Sequence, residues 1–235
     1  MMRRIVEPEL LDQLPPDDAG AVASRADLRR INRILGHATV LERAVRDHLK
    51  INPASPGRFT LIELGGGDGS LLLQLARRWH QWGWAANVTL IDRQNLVSDE
   101  TREEFQALGW SIHCMAMDVF MGLDILSLPA DVMIANLFLH HFRDDPLRSL
   151  LRLAAERTHL FIACEPRRSR RALVGSRFLG VVGCNGITRH DAVVSVRAGF
   201  AGRELTALWP STNLWSVIER PAGLFSHAFI ARRNG

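Results

Sequence analysis

Two stretches of the sequence combine residue types that take part in chemistry. The first is rich in glycine and reads, in order, Glu63, Leu64, Gly65, Gly66, Gly67, Asp68 and Gly69. Glycine lets a ligand approach the backbone closely and adopts positive φ in tight turns. Four glycines in five positions therefore predict a ligand-binding loop rather than a merely well-packed turn. The second stretch pairs His140 with His141, and imidazole serves near neutral pH as a general base or as a structural hydrogen-bonding group.

Short apolar strands that alternate with amphipathic helices are predicted to position both stretches. The strands are expected at 59–64, 87–91, 111–115, 130–136 and 159–164, and the helices at 70–82, 99–108 and 145–157. Such alternation implies right-handed crossovers and a parallel sheet that is covered on both faces. The fold class predicted from this pattern is α/β, with a doubly wound and mainly parallel sheet.

The last third of the chain departs from the alternation. A mostly helical stretch is predicted at 167–209. Two final strands, 214–219 and 224–231, are joined at 220–223 by residues typical of a turn. This pattern predicts an antiparallel hairpin at the edge of a seven-stranded sheet.

A breaker-rich stretch, Asn52 to Gly57, marks the clearest boundary in the chain. Before it, apolar residues recur at helical spacing on either side of Gly36, which predicts two amphipathic helices or one broken helix. The first 20 or so residues are predicted to be irregular. We therefore expect an N-terminal helical cap over 1–56 and a core over 57–235, with a helical insertion at about 167–212.

Acidic or amide residues stand at the ends of the first four predicted strands. Glu63 belongs to the first strand, Asp92 and Asp118 follow the second and third, and Asn136 ends the fourth. Ligands of open parallel sheets bind beyond the carboxyl ends of the strands, so these side chains are expected around one site. Each aspartate also has a structural alternative, because Asp92 can cap a loop and Asp118 can cap a short helix.

The spacing of the glycines distinguishes two cofactor patterns. The dinucleotide pattern G-x-G-x-x-G/A falls on Gly65, Gly67 and Ser70 and lacks its third small apolar residue. An acidic-x-G-x-G-x-G pattern matches at every position from Glu63 to Gly69, and it resembles the first motif of class I, Rossmann-like S-adenosylmethionine (SAM)-dependent methyltransferases that act on small molecules. The resemblance covers residues 57–165 well. It implies a Rossmann-like sheet ending in an antiparallel hairpin and SAM as the cofactor.

The resemblance also implies a role for each residue of the cofactor site. Asp92 stands where the family's acid binds both ribose hydroxyls, since two carboxylate oxygens accept both hydrogen bonds. Asp118 stands where the family has an acidic or amide group that binds the adenine amino nitrogen of the cofactor. Its neighbours Met117 and Val119 are expected to pack against the adenine base. Asn136 lies where backbone carbonyls and short polar groups receive the methionine ammonium. The predicted cofactor-binding residues are Glu63, Gly65, Gly66, Gly67, Gly69, Asp92, Met117, Asp118, Val119 and Asn136.

The stretch that follows the fourth strand carries the first predicted catalytic residue. Methyl transfer from a sulfonium is a direct displacement, which needs an aligned acceptor and, for a hydroxyl acceptor, a base. The sequence resembles small-molecule O-methyltransferases, in which a leucine-histidine-acidic-tryptophan sequence supplies that base. The resemblance places His140 at the base position, and it departs at His141 and Phe142, where the acid and the tryptophan would stand. A structural hydrogen bond near a helix start is the alternative role of His140.

His190 is the second candidate base or substrate contact. Its neighbour Asp191 is more simply predicted to be an N-cap for the residues that follow. Ligand type would allow a metal site at His140, His141 and His190, but nothing in their spacing specifies one, and we predict none. The arginine run at 167–171 is typical of a solvated helix face, with the binding of an anionic acceptor as the alternative.

The composition favours a small-molecule acceptor. The net charge of +4 permits nucleic-acid binding, but an aromatic content of 7% without tyrosine offers few platforms for base stacking, so nucleic acid is not expected. No apolar run approaches the roughly 18 residues needed to cross a bilayer, and no membrane partner is expected. Three cysteines without a Cys-x-x-Cys pair fit a reduced, cytoplasmic protein. No pattern in the sequence specifies an oligomeric state.

These observations favour SAM-dependent methylation, more at oxygen than at nitrogen or carbon, over three alternatives. Aminopropyltransferases of this fold share the Gly-Gly-Gly-Asp-Gly string, but they place an aspartate after the fourth strand and a tyrosine in the polyamine site. Here Asn136 is followed by Leu137, and the chain has no tyrosine. Nucleic-acid amino methyltransferases would need two prolines where Leu137 and Phe138 stand. The third alternative, a noncatalytic homologue, is disfavoured by the intact cofactor positions.

Overall fold

The computed structural model describes residues 2–50, 57–210 and 213–234. The helices of these ranges are α1 (Ala19–Leu35), α2 (His37–Leu49), α3 (Ser70–His80), α4 (Asp99–Ala107), α5 (Val119–Ile125), α6 (Asp144–Glu156), α7 (Arg170–Arg177), α8 (Gly186–Ala198) and α9 (Glu204–Leu208). The strands are β1 (Arg58–Leu64), β2 (Ala85–Asp92), β3 (Ser111–Ala116), β4 (Ala130–Asn136), β5 (Thr158–Pro166), β6 (Trp215–Ala222) and β7 (Ser226–Arg233). Single 3₁₀ turns are formed by Leu11–Gln13 and Leu139–His141.

The seven strands form one sheet in the order β3-β2-β1-β4-β5-β7-β6. Strands β1 to β5 pair in parallel, whereas β7 pairs antiparallel with both β5 and β6. The predicted α/β fold class, with its parallel sheet and closing hairpin, is confirmed. The chain order of the strands reverses between β1 and β4, so a crevice opens at the carboxyl ends of these two central strands.

Apolar residues on alternate positions of the strands build a core on each face of the sheet. On β1, Phe59 and Leu61 belong to one core with α2 and α3, while Ile62 and Leu64 belong to the other with α5 and α6. Aromatic rings fill the first core, where Trp79 stacks on Trp110 at a centroid distance of 5.7 Å. Both faces are covered, which fixes the register of the strands and the position of their carboxyl ends.

The N-terminal helices divide at the predicted glycine. Gly36 adopts a φ of 69°, ends α1 and precedes α2, and this left-handed conformation is one that glycine accommodates without strain. Helix α1 packs against α8, and α2 lies on the sheet, where Leu41 and Val45 are fully buried. The predicted boundary at 52–56 lies outside the described residues, and the division into cap and core stays a prediction.

The structure departs from the sequence-based elements at two places. Helix α5 starts directly after Asp118 and was expected only as the alternative in which this aspartate caps a short helix. Strand β6 extends through Ala222, so the hairpin turn comprises residues 223–225 instead of 220–223. The stretch at 167–209 is mostly helical as predicted, and it contains three helices joined by turns.

Candidate functional site

One large cavity lies over the carboxyl ends of the parallel strands. Its volume is about 970 Å³, which lies within the range typical of sites for small molecules and cofactors. The loops after β1, β2, β3 and β4 form its floor, and α1, the N-terminal segment and the α7–α8 region form its walls. Of the predicted cofactor-binding residues, those that line the cavity are Glu63, Gly65, Gly66, Gly67, Asp92, Met117, Asp118, Val119 and Asn136.

The glycine loop takes a conformation that depends on glycine at several positions. Gly65, Gly67 and Gly69 have φ angles of 67°, 56° and 74°, which side chains rarely adopt. A Cβ on Gly66 would come within 2.6 Å of Leu90, whereas one on Gly67 would meet no atom within 4 Å. The loop therefore packs tightly on the sheet at Gly66 and presents bare backbone to the open cavity at Gly67. Gly69 does not line the cavity and instead precedes α3.

Asp92 and Asp118 both carry structural hydrogen bonds at the rim of this loop. The Asp92 carboxylate accepts from the backbone N–H of Gly67 at 2.9 Å and from that of Gln94 at 2.9 Å. Asp118 caps α5 by accepting from Phe120 N–H at 2.9 Å, and its second oxygen pairs with Arg93 at 3.2 Å. Both residues line the cavity, and each carboxylate can accept further hydrogen bonds, because an ionised carboxylate accepts about four. The capping role expected as the alternative for Asp118 is therefore present, and it is compatible with ligand binding.

Two buried acceptors in the cavity wall have no hydrogen-bond partner among the described residues. They are Glu63 Oε2 and Asn136 Oδ1. Burial, together with the charges of Asp68 and Asp92, holds the pKa of Glu63 well above its usual range. A cationic donor would satisfy Glu63 Oε2 and lower the pKa of Glu63 again. The methionine ammonium of SAM is such a donor, so the residues present fit the predicted cofactor at this end of the cavity.

His140 is fully enclosed between two carboxylates. Its Nδ1 lies 2.8 Å from Glu165 Oε2 and its Nε2 lies 3.2 Å from Glu9 Oε1. Glu165 ends β5 and also accepts from the backbone N–H groups of Phe138, Leu139 and His140, at 3.0, 2.9 and 3.3 Å. The buried Glu165 therefore fixes both the 3₁₀ turn that carries His140 and the orientation of the imidazole ring.

The two carboxylates govern the protonation of His140. Burial alone lowers the pKa of the imidazole, but the hydrogen bonds to Glu165 and Glu9 outweigh it and raise the pKa to about 9. For Glu9, burial raises the pKa, and the hydrogen bond and charge of His140 overcome this and bring it to about 2. At neutral pH the arrangement is therefore an imidazolium held between carboxylates, and His140 gains a free lone pair only as the pH approaches 9.

Glu9 reaches His140 because the N-terminal segment, residues 2–14, is tied across the molecule. Arg4 donates to the carbonyl oxygens of Ala198 and Phe142, both at 2.8 Å, and lies 4.6 Å from the ring centre of Phe200. Asp191 accepts from the backbone N–H groups of Leu10 and Leu11 at 2.8 and 2.9 Å. These contacts turn an irregular segment into a wall of the cavity.

His190 and Asp191 occupy different positions from those predicted. Both lie in the middle of α8, whose N-cap is Asn185, so Asp191 does not cap the residues that follow it. Its carboxylate instead caps the 3₁₀ turn Leu11–Gln13 from across the cavity. His190 is half exposed, pairs with Asp191 at 2.9 Å and is not among the residues that line the cavity. The geometry favours His140 over His190 as the group that meets an acceptor.

Glu9, His140 and His141 also form a cluster with metal-ligand chemistry. One ligand atom of each residue lies within 4.8 Å of the others. His141 Nδ1 additionally lies 3.2 Å from Asp12 Oδ2. The set differs from the His140, His141 and His190 combination considered from the sequence. A metal ion would compete with the proton that the hydrogen bonds of His140 retain, and we assign no metal to this cluster.

Glu9 and Glu165 are the two site residues that sequence reasoning missed. Glu165 carried a usable signal, because it is an acid at the carboxyl end of a parallel strand, like Asp92. Glu9 carried no signal in the sequence, since it precedes His140 by 131 positions and lies in an irregular segment.

Comparison with known families and structures supports the predicted fold. Residues 61–158 match the family model described as a methyltransferase domain. This region contains the glycine loop, Asp92, Asp118, Asn136 and His140. A comparison with curated protein sequences gives no significant match.

Several solved methyltransferases share the architecture. The plantazolicin methyltransferase BpumL, solved with SAH, aligns with a TM-score of 0.65 at 13% identity over 93% of this chain and 92% of its own. Magnesium protoporphyrin IX methyltransferase from Synechocystis gives 0.54 at 16% identity over 85% and 84%. An O-methyltransferase family protein from Burkholderia thailandensis gives 0.59 at 17% over 94% and 62%. These structures show the Rossmann-like methyltransferase fold. Together with the match of residues 61–158 to a methyltransferase domain, they confirm the predicted enzyme class and its cofactor, SAM.

Proposed function

We propose that the chain methylates a hydroxyl group on a small acceptor with an apolar body, and that His140 is the base. The proposal rests on the position of His140. This residue lies in the cavity wall beyond Asn136, and its Nδ1 is held by the buried Glu165. This arrangement aims Nε2 at the region where Glu9 now lies. A hydroxyl that replaces the Glu9 carboxylate there would meet an oriented imidazole nitrogen.

The predicted cofactor residues divide the cavity into two ends. Glu63, Asp92, Asp118 and Asn136 surround the glycine loop at the polar end, and we propose that they hold SAM as the sequence resemblance implies. When bound, SAM supplies an electrophilic methyl group on a sulfonium. The chain's own task is then to orient the acceptor oxygen for in-line displacement and to take up its proton at His140 Nε2.

Apolar residues line the other end of the cavity, which supports an acceptor with an apolar body. They come from α1, the loop after β4 and the α7–α8 region, and include Leu28, Ile31, Phe138, Phe142, Leu179 and Val182. The O-methyltransferase family name of one structural neighbour is in line with the reaction, although at 17% identity that likeness concerns the fold.

We also infer which reaction the alternatives leave, the cellular compartment and the role of the N-terminal helices. An aminopropyltransferase would need an aspartate after β4 and a tyrosine in the polyamine site, whereas Leu137 follows Asn136 and the chain has no tyrosine. No helix of the described residues is long and apolar enough to cross a membrane. Cys114, Cys164 and Cys184 are unpaired, and we propose the reducing cytoplasm as the compartment. We keep the helical cap at 1–56 as a proposed unit that closes the cavity from above.

The pH dependence of methylation tests the base. With alkyl alcohols as probe acceptors, whose hydroxyls do not ionise in this range, and a radiolabelled methyl donor, kcat/KM should rise about tenfold per pH unit and level off near pH 9, because only neutral His140 accepts a proton. His140→Gln should remove the rise and leave SAM affinity unchanged. Alkylanilines should be methylated poorly. Preferred methylation of the anilines, or an unchanged pH profile in His140→Gln, would contradict the proposal.

A further inference from the structure

A surface outside the catalytic residues combines exposed apolar side chains with unpaired positive charge. It consists of α7, the turn 178–183 that follows it, and the hairpin turn 223–225, and we call it the α7 face. Its exposed apolar residues, with the exposed fraction of each, are Val174 (53%), Phe178 (62%), Val181 (83%), Val182 (55%), Leu224 (55%) and Phe225 (39%). Single exposed apolar residues are ordinary, but a contiguous group marks an interaction surface.

The three parts of the α7 face are joined by direct contacts. A Cβ on Gly175 would lie 2.6 Å from the ring of Phe225, so the hairpin turn packs on α7. Arg167 N–H donates to Phe225 O at 2.7 Å and its guanidinium donates to Gly223 O at 3.3 Å. The face is therefore one surface and not three separate loops.

The charge of this region has a single sign. The segment 166–190 contains no aspartate or glutamate and has six arginines, of which Arg168 is buried and pairs with Glu204. The other five are Arg167, Arg170, Arg171, Arg177 and Arg189. Arg170, Arg171 and Arg177 are exposed and have no ion pair or hydrogen bond among the described residues. They lie three or four positions from Val174, so cations flank the apolar row on the same side of α7.

The α7 face also borders the mouth of the cavity. Val182 and Phe225 are exposed and at the same time line the cavity, together with the neighbouring Leu179. From α1, Ile34 is 76% exposed and lines the cavity as well. Apolar surface thus continues from the outside of the molecule into the end of the cavity that the acceptor is proposed to occupy.

We propose that the α7 face docks on the surface of an anionic lipid bilayer, with the cavity mouth turned toward the membrane. We choose an anionic bilayer as the partner because its charge is complementary to that of the α7 face. Arginines beside an apolar row bind lipid phosphates with their guanidinium groups, while Phe178 and Val181 enter the boundary between headgroups and acyl chains. The inference goes beyond the proposed function, and it revises the sequence-based expectation that no membrane takes part. An apolar acceptor dissolved in the bilayer would reach the cavity without crossing water.

Vesicle binding by the intact protein tests the proposal without any methylation assay. Sedimentation should show binding to vesicles of equimolar phosphatidylglycerol and phosphatidylcholine, little binding to phosphatidylcholine alone, and weaker binding as salt is raised. R170Q/R171Q/R177Q should weaken binding roughly 100-fold, since each cation near an anionic surface contributes about one tenfold step or less. The matched control R43Q/R46Q/R148Q removes three exposed arginines elsewhere and should bind like the original protein.

A second pair of variants tests the apolar part. F178S/V181S removes two exposed side chains that do not line the cavity, and it should reduce binding at least tenfold at constant charge. Leu128→Ser, at a site that is 80% exposed and distant in sequence, should have no effect. Equal binding to neutral vesicles, or full binding by the triple arginine variant, overturns the proposal. Binding to soluble polyglutamate without vesicle binding also overturns it and assigns the face to an acidic protein.

Discussion

At the scale of single residues, the site separates groups that hold the cofactor loop from groups that face an acceptor. Asp92 binds Gly67 N–H, and through it shapes the one loop position with open space in front of it. His140 lies in the 3₁₀ turn after β4, and both of its ring nitrogens face carboxylates. The two residues are expected to act on different kinetic quantities, since one serves binding and the other serves proton transfer.

Because Asp92 and His140 serve different steps, we predict that their substitution affects cofactor affinity differently. Asp92→Ala should weaken SAM binding by about tenfold to a hundredfold, because the hydrogen bonds between a carboxylate and both ribose hydroxyls are lost. His140→Ala should leave SAM affinity within a factor of about two and lower turnover instead. Calorimetric titration of both variants decides between them. Unchanged affinity in Asp92→Ala would refute the proposed ribose contact, and circular dichroism would confirm that each variant is folded.

At the scale of elements, the N-terminal segment sets the proton affinity of the base. Glu9 contributes one of the two hydrogen bonds that raise the pKa of His140 to about 9. Replacing Glu9 by glutamine removes a negative charge and should lower that pKa, so neutral His140 becomes available at lower pH. The rise of kcat/KM with pH should therefore shift to lower pH in Glu9→Gln.

Glu7→Gln is the matched control for this shift. Glu7 belongs to the same segment, lines the same cavity and is exposed, but it has no contact with His140. Its pH profile should coincide with that of the original protein. A Glu9→Gln profile that does not move would contradict the role of Glu9, because kcat/KM reports the pKa of His140 in the ligand-free protein, where the two residues are paired.

The elements that the sequence predicted well are those specified by local patterns. The alternation of strands and helices and the glycine loop follow from short-range periodicity and turn chemistry, and the structure reproduces them. Helix α5 was expected only as an alternative because Gly122 weakens its helical signal, and the structure shows that this glycine is packed against Ile91. The place of the N-terminal segment in the cavity wall was missed, because Arg4 and Asp191 hold it there through contacts that are distant in sequence. Periodicity carries no information about such contacts.

At the scale of the whole molecule, two buried histidines give stability an optimum in pH. His37 is enclosed between α2 and β7, with its Nε2 2.7 Å from Ser226 Oγ, and burial lowers its pKa to about 4. Its contribution is complete above the ordinary histidine pKa of about 6.5 and is lost as the pH falls toward 4. The contribution of His140 to stability depends on pH in the opposite direction. Its contribution is complete below about 6.5 and is lost as the pH rises through about 9.

These two histidines should therefore make the free energy of unfolding fall on both sides of about pH 6.5, on top of the opposing effect of Glu63, whose raised pKa costs stability as the pH rises. Each limb should amount to roughly 3 kcal/mol, since one pKa unit corresponds to about 1.4 kcal/mol. Denaturant unfolding at a series of pH values measures the curve. His37→Gln should flatten the acid limb and His140→Gln the alkaline limb, because each variant removes one titrating group while the other persists. A curve whose alkaline limb survives in His140→Gln would mean that the buried imidazolium does not stabilise the fold, and that the two carboxylates around it are held apart by other contacts.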